Sequence, residues 1–467
     1  MPDGEDTVTS RFPTAPHDRP LGVEHDPGLP DGIPAVSLDA FLAAVAQALD
    51  LAEGRRKGHA LRVCYMACAV ARQMALARAQ ASTVFFAALL HDIGVPRASE
   101  RLCDVPRLSE HELFAALPLH NPDLLAAQAG GAYGRTVTDA LHDHTFEGAS
   151  AAASLGLPPQ VAEAVLYHHE RHDGGGFPMG LAGGAIPLAA RIVAAADYAE
   201  ALVAAEPNPL LARRYLEASL REQAGRAFHP EVVDALVSVA RRDEFWLVFH
   251  DQGLLYLTPE FSELEGRPLG TPALLRVAGA FADIADAKNA YKRGHSRRVA
   301  RCAAMLATRL GCGAARAQAV EMAALLHDIG MLKVPGRVTA KPEILSLQEM
   351  SLLREHPTEG AQILRDIPGW EPLAAWVAAH HERYDGRGYP EGLAGEEVPL
   401  EARILAVADI YEALTADRPH RPALTPVEAV RAMGVMVGAE IDPLVFSAFE
   451  SAIVNLDDLT DDLTPAH

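Results

Sequence analysis

The chain has few of the features that place a protein in a membrane, outside the cell or on a nucleic acid. Its 467 residues include only five cysteines and no CxxC pair, which argues against a disulfide framework and a thiolate zinc site. Lysine and arginine number 41 against 62 acidic residues, and the net charge of −21 opposes binding to nucleic acids or anionic lipids. No apolar run reaches the roughly 18 residues of a membrane-spanning helix, and the acidic start MPDGEDTVTS is unlike a secretory signal. We therefore expect a cytoplasmic protein that binds no nucleic acid polymer and no membrane.

Patterns typical of β-strands are also scarce. Aromatic residues make up 6% of the chain, and few segments alternate β-branched and polar residues. Alanine and leucine dominate a hydrophobic content of 49%, which is enough for real cores, and the segments resemble short amphipathic helices separated by glycine and proline. The sequence predicts an all-α fold.

The chain does contain a long internal repeat with two copies. The matching strings are RRKGHALRV and YKRGHSRRV, ALLHDIG in both copies, HTFEGA and HPTEGA, HHER in both copies, and RIVAAADYAEAL and RILAVADIYEAL. The first two pairs are offset by 236 residues and the last three by 212, so the first copy holds 24 extra residues between its HD pair and its third histidine. A repeat of this length indicates two tandem domains of the same fold.

The repeat also sets the predicted boundaries. We predict a disordered tail at residues 1–35, a diverged first domain at 36–242, an aromatic-rich connector at 243–271, a second domain at 272–450 as the probable catalytic unit, and an acidic tail at 451–467. The proline-rich composition of the first segment favours disorder. The connector has no counterpart elsewhere, and its aromatic residues predict that it packs between the two halves.

Ten of the 20 histidines and four aspartates lie in two parallel sets. The first set is His59, His91, Asp92, His144, His168, His169 and Asp197, and the second is His295, His327, Asp328, His356, His380, His381 and Asp409. Separations of 32, 24 and 29 residues recur in both sets. A lone histidine is most often a satisfied structural residue, but two sets with the same spacing favour duplication of a useful site.

The residue types favour a metal site. Asp197 and Asp409 lie within apolar helical runs, where an ionised carboxylate is unfavourable unless it is paired or bound to a cation. Imidazoles and carboxylates without cysteine favour iron, manganese, zinc or nickel. One ion cannot use seven ligands, whereas two ions that share a carboxylate can, and ions about 3.5 to 4 Å apart commonly hydrolyse phosphate esters.

The order H…HD…H…HH…D, with HDIG and a loop ending in GYP, resembles the HD-GYP family of HD-domain metal-dependent phosphohydrolases. The resemblance covers both copies. It implies helical domains that bind two or three metals, often iron or manganese, and hydrolyse the bacterial signalling molecule cyclic di-GMP to pGpG or GMP. Family members with three metals carry a glutamate where this chain has Tyr291 and Arg55, which implies two divalent transition metal ions per intact site.

The resemblance also assigns roles in the second copy. His327, Asp328 and Asp409 would hold one metal with His295 close by, and His356, His380 and His381 would hold the other with Asp328 bridging. The predicted reaction is attack by a metal-bridging hydroxide on phosphorus, with Asp328 and Lys333 as catalytic residues. Lys333 is a displaced candidate, because Met331 occupies the position of the family's lysine and a shift of two residues points a side chain elsewhere.

Substrate recognition distinguishes the copies. Family members grip the dinucleotide with an RPxR element, which the second copy has as RPHR with Arg418 and Arg421, whereas the first copy has EPNP. An acidic residue in place of such an arginine should repel a phosphate. The GYP tripeptide is intact at Tyr389 but becomes GFP at Phe177. We therefore expect Arg418, Arg421 and Tyr389 to bind substrate and the first domain to be regulatory or weakly active.

Two other functions stay open at this point. The protein could be a bimetal hydrolase of another cyclic dinucleotide or nucleotide phosphate, a reading favoured by Met331 and by His420 in the RPHR element. It could also be a catalytically weak nucleotide-binding signalling module that signals through contacts made by the insertion within residues 93–143 or by the aromatic connector. A homodimer or a signalling-protein partner stays open as well.

Overall fold

The computed structural model describes residues 32–454 with internal gaps. The gaps are residues 53–54, 56, 103–104, 106–112, 114–116, 118–126, 128, 131–132, 207, 251–267, 342 and 418–421. The two predicted tails therefore fall almost wholly outside the described residues, and so do Arg418, His420 and Arg421.

The first half is built from helices. They are α1 (Leu38–Ala52), α2 (His59–Gln73), α3 (Arg78–Leu90), α4 (Val95–Ser99), α5 (Gly134–Ser154), α6 (Pro159–Leu166), α7 (Leu188–Ala205), α8 (Pro209–Gln223) and α9 (Pro230–Ala240). A further helix, α10 (Asp243–Phe249), begins the predicted connector.

The second half repeats the same order. Its helices are α11 (Thr271–Ala287), α12 (His295–Arg309), α13 (Ala314–Leu326), α14 (Gly336–Thr339), α15 (Leu347–Arg354), α16 (His356–Arg365), α17 (Glu371–Ala378), α18 (Leu400–Thr415), α19 (Pro426–Gly434) and α20 (Pro443–Val454). A 3₁₀ turn, Ile329–Lys333, follows the HD pair. Within the described ranges, extended pairing is limited to isolated bridges such as that between Asp385 and Ala394. The predicted all-α fold of two tandem helical bundles is confirmed for the described residues.

Local sequence explains where the helices that carry the first histidines begin. Gly58 and Gly294 precede α2 and α12 with φ angles of 86° and 70°, a left-handed conformation that favours glycine. Asp50 in α1 accepts hydrogen bonds from the amides of Gly58 and Ala60. Asp286 in α11 accepts bonds from the amide and hydroxyl of Ser296. Each domain's opening helix thus satisfies the free amides at the start of its next helix.

The buried apolar residues of the two halves form one continuous core rather than two separate ones. Helix α1 contacts α16 and the Ile329–Lys333 turn of the other half, and α11 contacts α4 and α5 of the first half. At the centre, the ring of Phe41 lies 6.3 Å from Phe281 and 5.5 Å from Trp370 between centroids, and all three side chains are fully buried. The opening helices therefore join each domain to its neighbour.

The described part of the connector lies against the first half. Helix α10 packs on α2 and α9, with Phe245, Trp246 and Phe249 buried. The ring of Tyr65 stacks on Phe245 at 5.2 Å between centroids. Residues 251–267 lie outside the described residues, so the prediction that the connector packs between the halves stays a prediction for that stretch.

No described helix combines the length and the apolar character that crossing a membrane requires.

Candidate metal centres in the two halves

The predicted site residues come together as two clusters, one in each half. In the second half, His295 begins α12, His327 follows α13 and His356 begins α16. His380 follows α17, and Asp409 lies inside α18. Five helices therefore converge on one point with a histidine or an aspartate each, which explains why the ligands are so widely spaced along the chain.

Asp328 lies between two sets of histidines. Its Oδ2 atom is 3.5 Å from Nε2 of His295 and 3.4 Å from Nε2 of His327. Its Oδ1 atom is 3.4 Å from Nε2 of His356, which is itself 3.4 Å from Nε2 of His380. Asp409 approaches the first set, with Oδ1 3.3 Å from His295 Nε2. A carboxylate whose two oxygens face different histidine sets is arranged to bridge two ions.

Backbone carbonyls orient the imidazoles. The Nδ1 atom of each of six histidines pairs with the carbonyl oxygen three residues earlier in the chain. These histidines are His91, His144, His168, His327, His356 and His380. This contact leaves Nε2 as the atom that faces the cluster, and such an outer partner is typical of histidines that bind metals.

The Nε2 atoms that face each cluster are suited to binding a metal ion. Nε2 of His91, His168, His295 and His327 is buried and makes no hydrogen bond to any residue that the structure describes, although buried polar atoms are normally bonded. In the second half, potential ligand atoms of His295, His327 and Asp409 lie within 4.8 Å of one another, as do those of His356, His380 and His381. The residues present therefore fit divalent transition metal ions.

Burial keeps several of these imidazoles neutral. It lowers the pKa of His356 to about 3 in the second half and that of His144 to about 3 in the first. Burial alone would raise the pKa of Asp328, but Lys292 and His327 outweigh it and hold the pKa well below its ordinary value. Neutral imidazole and ionised carboxylate are the forms that bind metals.

A glutamate behind each first histidine is a candidate site residue that our sequence analysis missed. His295 Nδ1 contacts Glu412 Oε2, and His59 Nδ1 lies 2.6 Å from Glu200 Oε2. Burial alone would raise the pKa of Glu200, but His59 and Arg62 outweigh it and lower the pKa to about 2. The signal was present, because both glutamates stand at the same place in the repeated strings that end in EAL.

The glycine of HDIG lets two chain segments meet. A Cβ atom on Gly330 would lie 2.1 Å from the carbonyl oxygen of His356, and one on Gly94 would lie 2.0 Å from that of His144. Any side chain there would push the third histidine away from the HD pair. The motif's glycine is therefore part of the site's geometry.

The first half assembles a similar cluster with a different cation beside it. Asp92 lies 3.2 Å from His91 Nε2 through Oδ2 and 3.5 Å from His168 Nε2 through Oδ1. Asp92, His144, His168 and His169 form one group of potential ligands, and His59, His91 and Asp197 form another. A guanidinium nitrogen of Arg55 lies 3.7 Å from Asp197 Oδ1. All seven predicted residues of the first set are therefore brought together.

The two lysines near the second cluster have different surroundings. Lys333, predicted to be catalytic, lies 2.9 Å from Glu355 and 2.7 Å from Glu359, so its charge is already paired. Lys292 instead places Nζ 2.5 Å from Asp328 Oδ2. Burial alone would lower the pKa of Lys292, but Asp328 and Asp409 outweigh it and raise the pKa. The catalytic role of Lys333 stays a prediction, and Lys292 is the ammonium group that contacts the cluster.

A cleft opens on the second cluster. It has a volume of about 400 Å³, and its lining includes His380, His381, Asp409 and Tyr389. The Tyr389 ring stacks on His381, with 5.0 Å between centroids and an interplanar angle of 28°. The predicted substrate residue Tyr389 is therefore beside the metal ligands.

The GFP loop of the first half has apolar surroundings instead. Phe177 stacks on His169 at 4.9 Å and belongs to an apolar cluster with residues of the first-half insertion. The buried members are Val95, Ala98, Leu102, Val105, Leu113, Leu117, Val137, Ala140, Leu141 and Phe177. The described part of the insertion thus packs against the loop that, in the second half, borders the cleft.

Comparison with known proteins agrees with this geometry. Residues 56–202 and residues 279–445 each match a family described as HD domain. The chain is 29% identical over 455 residues to the 3'3'-cGAMP-specific phosphodiesterase 3 of Vibrio cholerae, covering 90% of this chain and 95% of that protein. It is 39% identical over 184 residues to a cyclic di-GMP phosphodiesterase of Pseudomonas aeruginosa, covering 39% of this chain and 44% of that protein. The crystal structure of a cyclic GMP-AMP-specific phosphodiesterase from V. cholerae superposes with a TM-score of 0.63 at 25% identity, covering 91% of this chain and 99% of that one.

Proposed function

Because the chain belongs to the HD-domain family, as a tandem protein of the HD-GYP type, we propose that it is a metal-dependent phosphodiesterase that hydrolyses a cyclic dinucleotide in its second half. The observation that carries this proposal is the position of Asp328. Its two oxygens face different histidine sets, and those sets border an open cleft.

Two divalent ions, iron or manganese by the family resemblance, would supply an activated water and neutralise negative charge on the phosphate. His295, His327 and Asp409 would hold one ion and His356, His380 and His381 the other, with Asp328 shared. The chain itself positions these groups, since carbonyl oxygens and Glu412 hold the imidazoles in place. Tyr389 lines the cleft and would contact the nucleotide, as would Arg418 and Arg421 by the resemblance.

The first half would act as a regulatory or weakly active copy. Its ligands would hold metal in the same manner, through His59, His91 and Asp197 on one side and Asp92, His144, His168 and His169 on the other. One feature supports a loss of turnover: the EPNP string replaces the arginine element of the second half. The shared core would carry any influence of this half on the other.

Two substrates merit direct comparison. The relatives that cover 90% and 85% of this chain are named 3'3'-cGAMP-specific phosphodiesterases, which supports 3'3'-cGAMP. Shorter matches, over 39% and 31% of the chain, are named cyclic di-GMP phosphodiesterases, which supports the substrate favoured by the motifs. Separate progress curves with 3'3'-cGAMP and cyclic di-GMP, followed by competition between them, would rank the two.

The central experiment compares matched aspartates. Wild-type protein, Asp328→Ala and Asp92→Ala are reconstituted anaerobically with Fe²⁺ or Mn²⁺, and the products from both nucleotides are separated by chromatography. We expect Asp328→Ala to lower kcat/KM more than about 100-fold, because even outer partners of metal ligands alter metal affinity or activity 10- to 100-fold. Asp92→Ala should stay within about threefold of wild type, since it changes the other half.

Metal content and circular dichroism of both variants serve as controls for folding. Activity that survives in Asp328→Ala and disappears in Asp92→Ala would reverse the assignment of roles. Saturable nucleotide binding without product, in metal-loaded wild-type protein, would instead identify a binding module.

A further inference from the structure

A positive side chain lies over the tyrosine of the GYP loop. The guanidinium carbon of Arg354 is 5.3 Å from the centre of the Tyr389 ring, and that ring stacks on His381. The phenol ring of Tyr389 therefore contacts both an imidazole of the candidate metal centre and a guanidinium. The aromatic face attracts the cation and limits where the guanidinium can lie.

The side chain of Arg354 is exposed and is not paired with an acidic residue in the part of the chain that the structure describes. Arg354 is the last residue of α15. Among the residues that the structure describes, its guanidinium has no hydrogen bond or ion pair. Nearby cations differ in this respect, because Arg383 is paired with Asp385 and Glu440, and Lys333 with Glu355 and Glu359. Arg354 thus has its hydrogen-bond donors available for a ligand.

The same position in the first half carries no such group. With the offset of 212 residues, Arg354 corresponds to His142 and Tyr389 to Phe177. The His142 ring stacks on Phe177 at 4.8 Å between centroids, with an interplanar angle of 13°. Both halves therefore place a side chain over the aromatic residue of the loop. Of the two side chains, Arg354 is the one with a guanidinium, and a guanidinium can bind a phosphate through two parallel hydrogen bonds.

We propose that Arg354 is a specificity-determining residue that binds the phosphate of the cyclic dinucleotide that is not cleaved. This inference rests on the proposed function. A cyclic dinucleotide has two phosphodiester groups, and hydrolysis at the metal centre uses one of them. Arg354 lies over the ring of Tyr389, which lines the cleft, and does not belong to the group of candidate metal ligands, so it is positioned for a group beyond the metal centre rather than for the reacting phosphorus.

The test uses substrates with one or two phosphodiester groups. Full-length metal-loaded wild type and Arg354→Gln are assayed with 3'3'-cGAMP, cyclic di-GMP and bis(p-nitrophenyl) phosphate, which has a single phosphodiester. We expect kcat/KM for the cyclic dinucleotide to fall about 10- to 150-fold, the equivalent of one charge-assisted contact. Turnover of bis(p-nitrophenyl) phosphate should stay within about twofold.

Two variants control for charge and position. Arg354→Lys keeps the positive charge without the planar pair of donors and should recover part of the loss. His142→Gln alters the corresponding position of the first half and should leave both reactions unchanged. Equal losses for both kinds of substrate in Arg354→Gln, or no loss for either, would overturn the proposal.

A binding measurement separates this proposal from the proposed function. The dissociation constant of a hydrolysis-resistant phosphorothioate analogue of each cyclic dinucleotide is measured on the metal-loaded proteins. We expect at least about tenfold weaker binding to Arg354→Gln. If wild type cleaves no cyclic dinucleotide, the proposed function fails, but weaker analogue binding to the variant still supports the role of Arg354. Binding that is equal in both proteins, or absent from both, contradicts it.

Discussion

The two halves keep the same set of candidate metal ligands but differ in what surrounds it. In the second half, the side chain of Asp409 is 18% exposed beside an open cleft, whereas that of Asp197 in the first half is 3% exposed. Tyr389 faces the cleft under an exposed arginine, while Phe177 packs into an apolar cluster with the insertion. The candidate metal ligands and the access to them are therefore separable, because the ligands lie on helices or directly beside them whereas access depends on loops and insertions.

The HDIG glycines provide the largest expected contrast between the halves. In Gly330→Ala, the new Cβ would approach the His356 carbonyl oxygen to 2.1 Å, so the third histidine must move and metal-dependent turnover should fall more than about 100-fold. Gly94→Ala creates the same clash in the first half and should leave turnover within about threefold. Activity is measured well below each variant's melting temperature. Comparable losses in both variants would mean that turnover requires both sites.

The buried aspartates of the opening helices predict a dependence of stability on pH. Burial raises the pKa of Asp286 to about 6, although His295 and Ser296 oppose the shift, and burial also raises the pKa of Asp50. The folded state therefore holds the proton of the Asp286 carboxyl more tightly than the unfolded state does. The stabilisation that this proton contributes is complete below about pH 4 and is lost as the pH rises through about 6. The contribution of Asp286 is up to about 3 kcal/mol.

In Asp286→Asn, the free energy of unfolding should therefore depend less on pH between about pH 4 and 6. Urea titration at several pH values measures this dependence. Asp50→Asn provides the matched variant of the first half. An unchanged pH profile in Asp286→Asn would show that the proton is bound elsewhere.

The smallest contrast concerns the glutamates behind the first histidines. Glu412→Gln keeps a hydrogen-bond acceptor for His295 but removes the charge, and it should weaken metal binding in the second half about 10- to 100-fold. Glu200→Gln should do the same in the first half through His59. Competition with a chelator, followed by counting of the ions retained, measures both. Loss of metal from the first half in Glu412→Gln, or from the second half in Glu200→Gln, would contradict the division of the ligands between the two sites.

Much of the candidate site could be predicted because it depends on residue type and order. The repeated HD pairs, the paired histidines and the aspartates in apolar helices all meet in the structure as expected. The missed glutamates have a weaker signal. Glu412 and Glu200 recur at the same place in the repeated strings, but glutamates are common in helices, and the contact of Glu412 with His295 is visible only in the structure. Lys333 shows the converse, since proximity in sequence to the HD pair did not bring it to the cluster's carboxylates, whereas Lys292 contacts Asp328.

The sequence by itself determined that this protein is all-helical, that its domain is duplicated and that each copy carries a full set of histidines and aspartates suited to metal binding. Those properties follow from composition, spacing and residue chemistry, which are local or periodic along the chain. Only the tertiary structure decided which carboxylate faces both sets of histidines, which cation contacts it, and that α1 and α11 each pack on the opposite half. These outcomes depend on contacts between residues tens to hundreds of positions apart, and such contacts are set by the packing of helices around a common core.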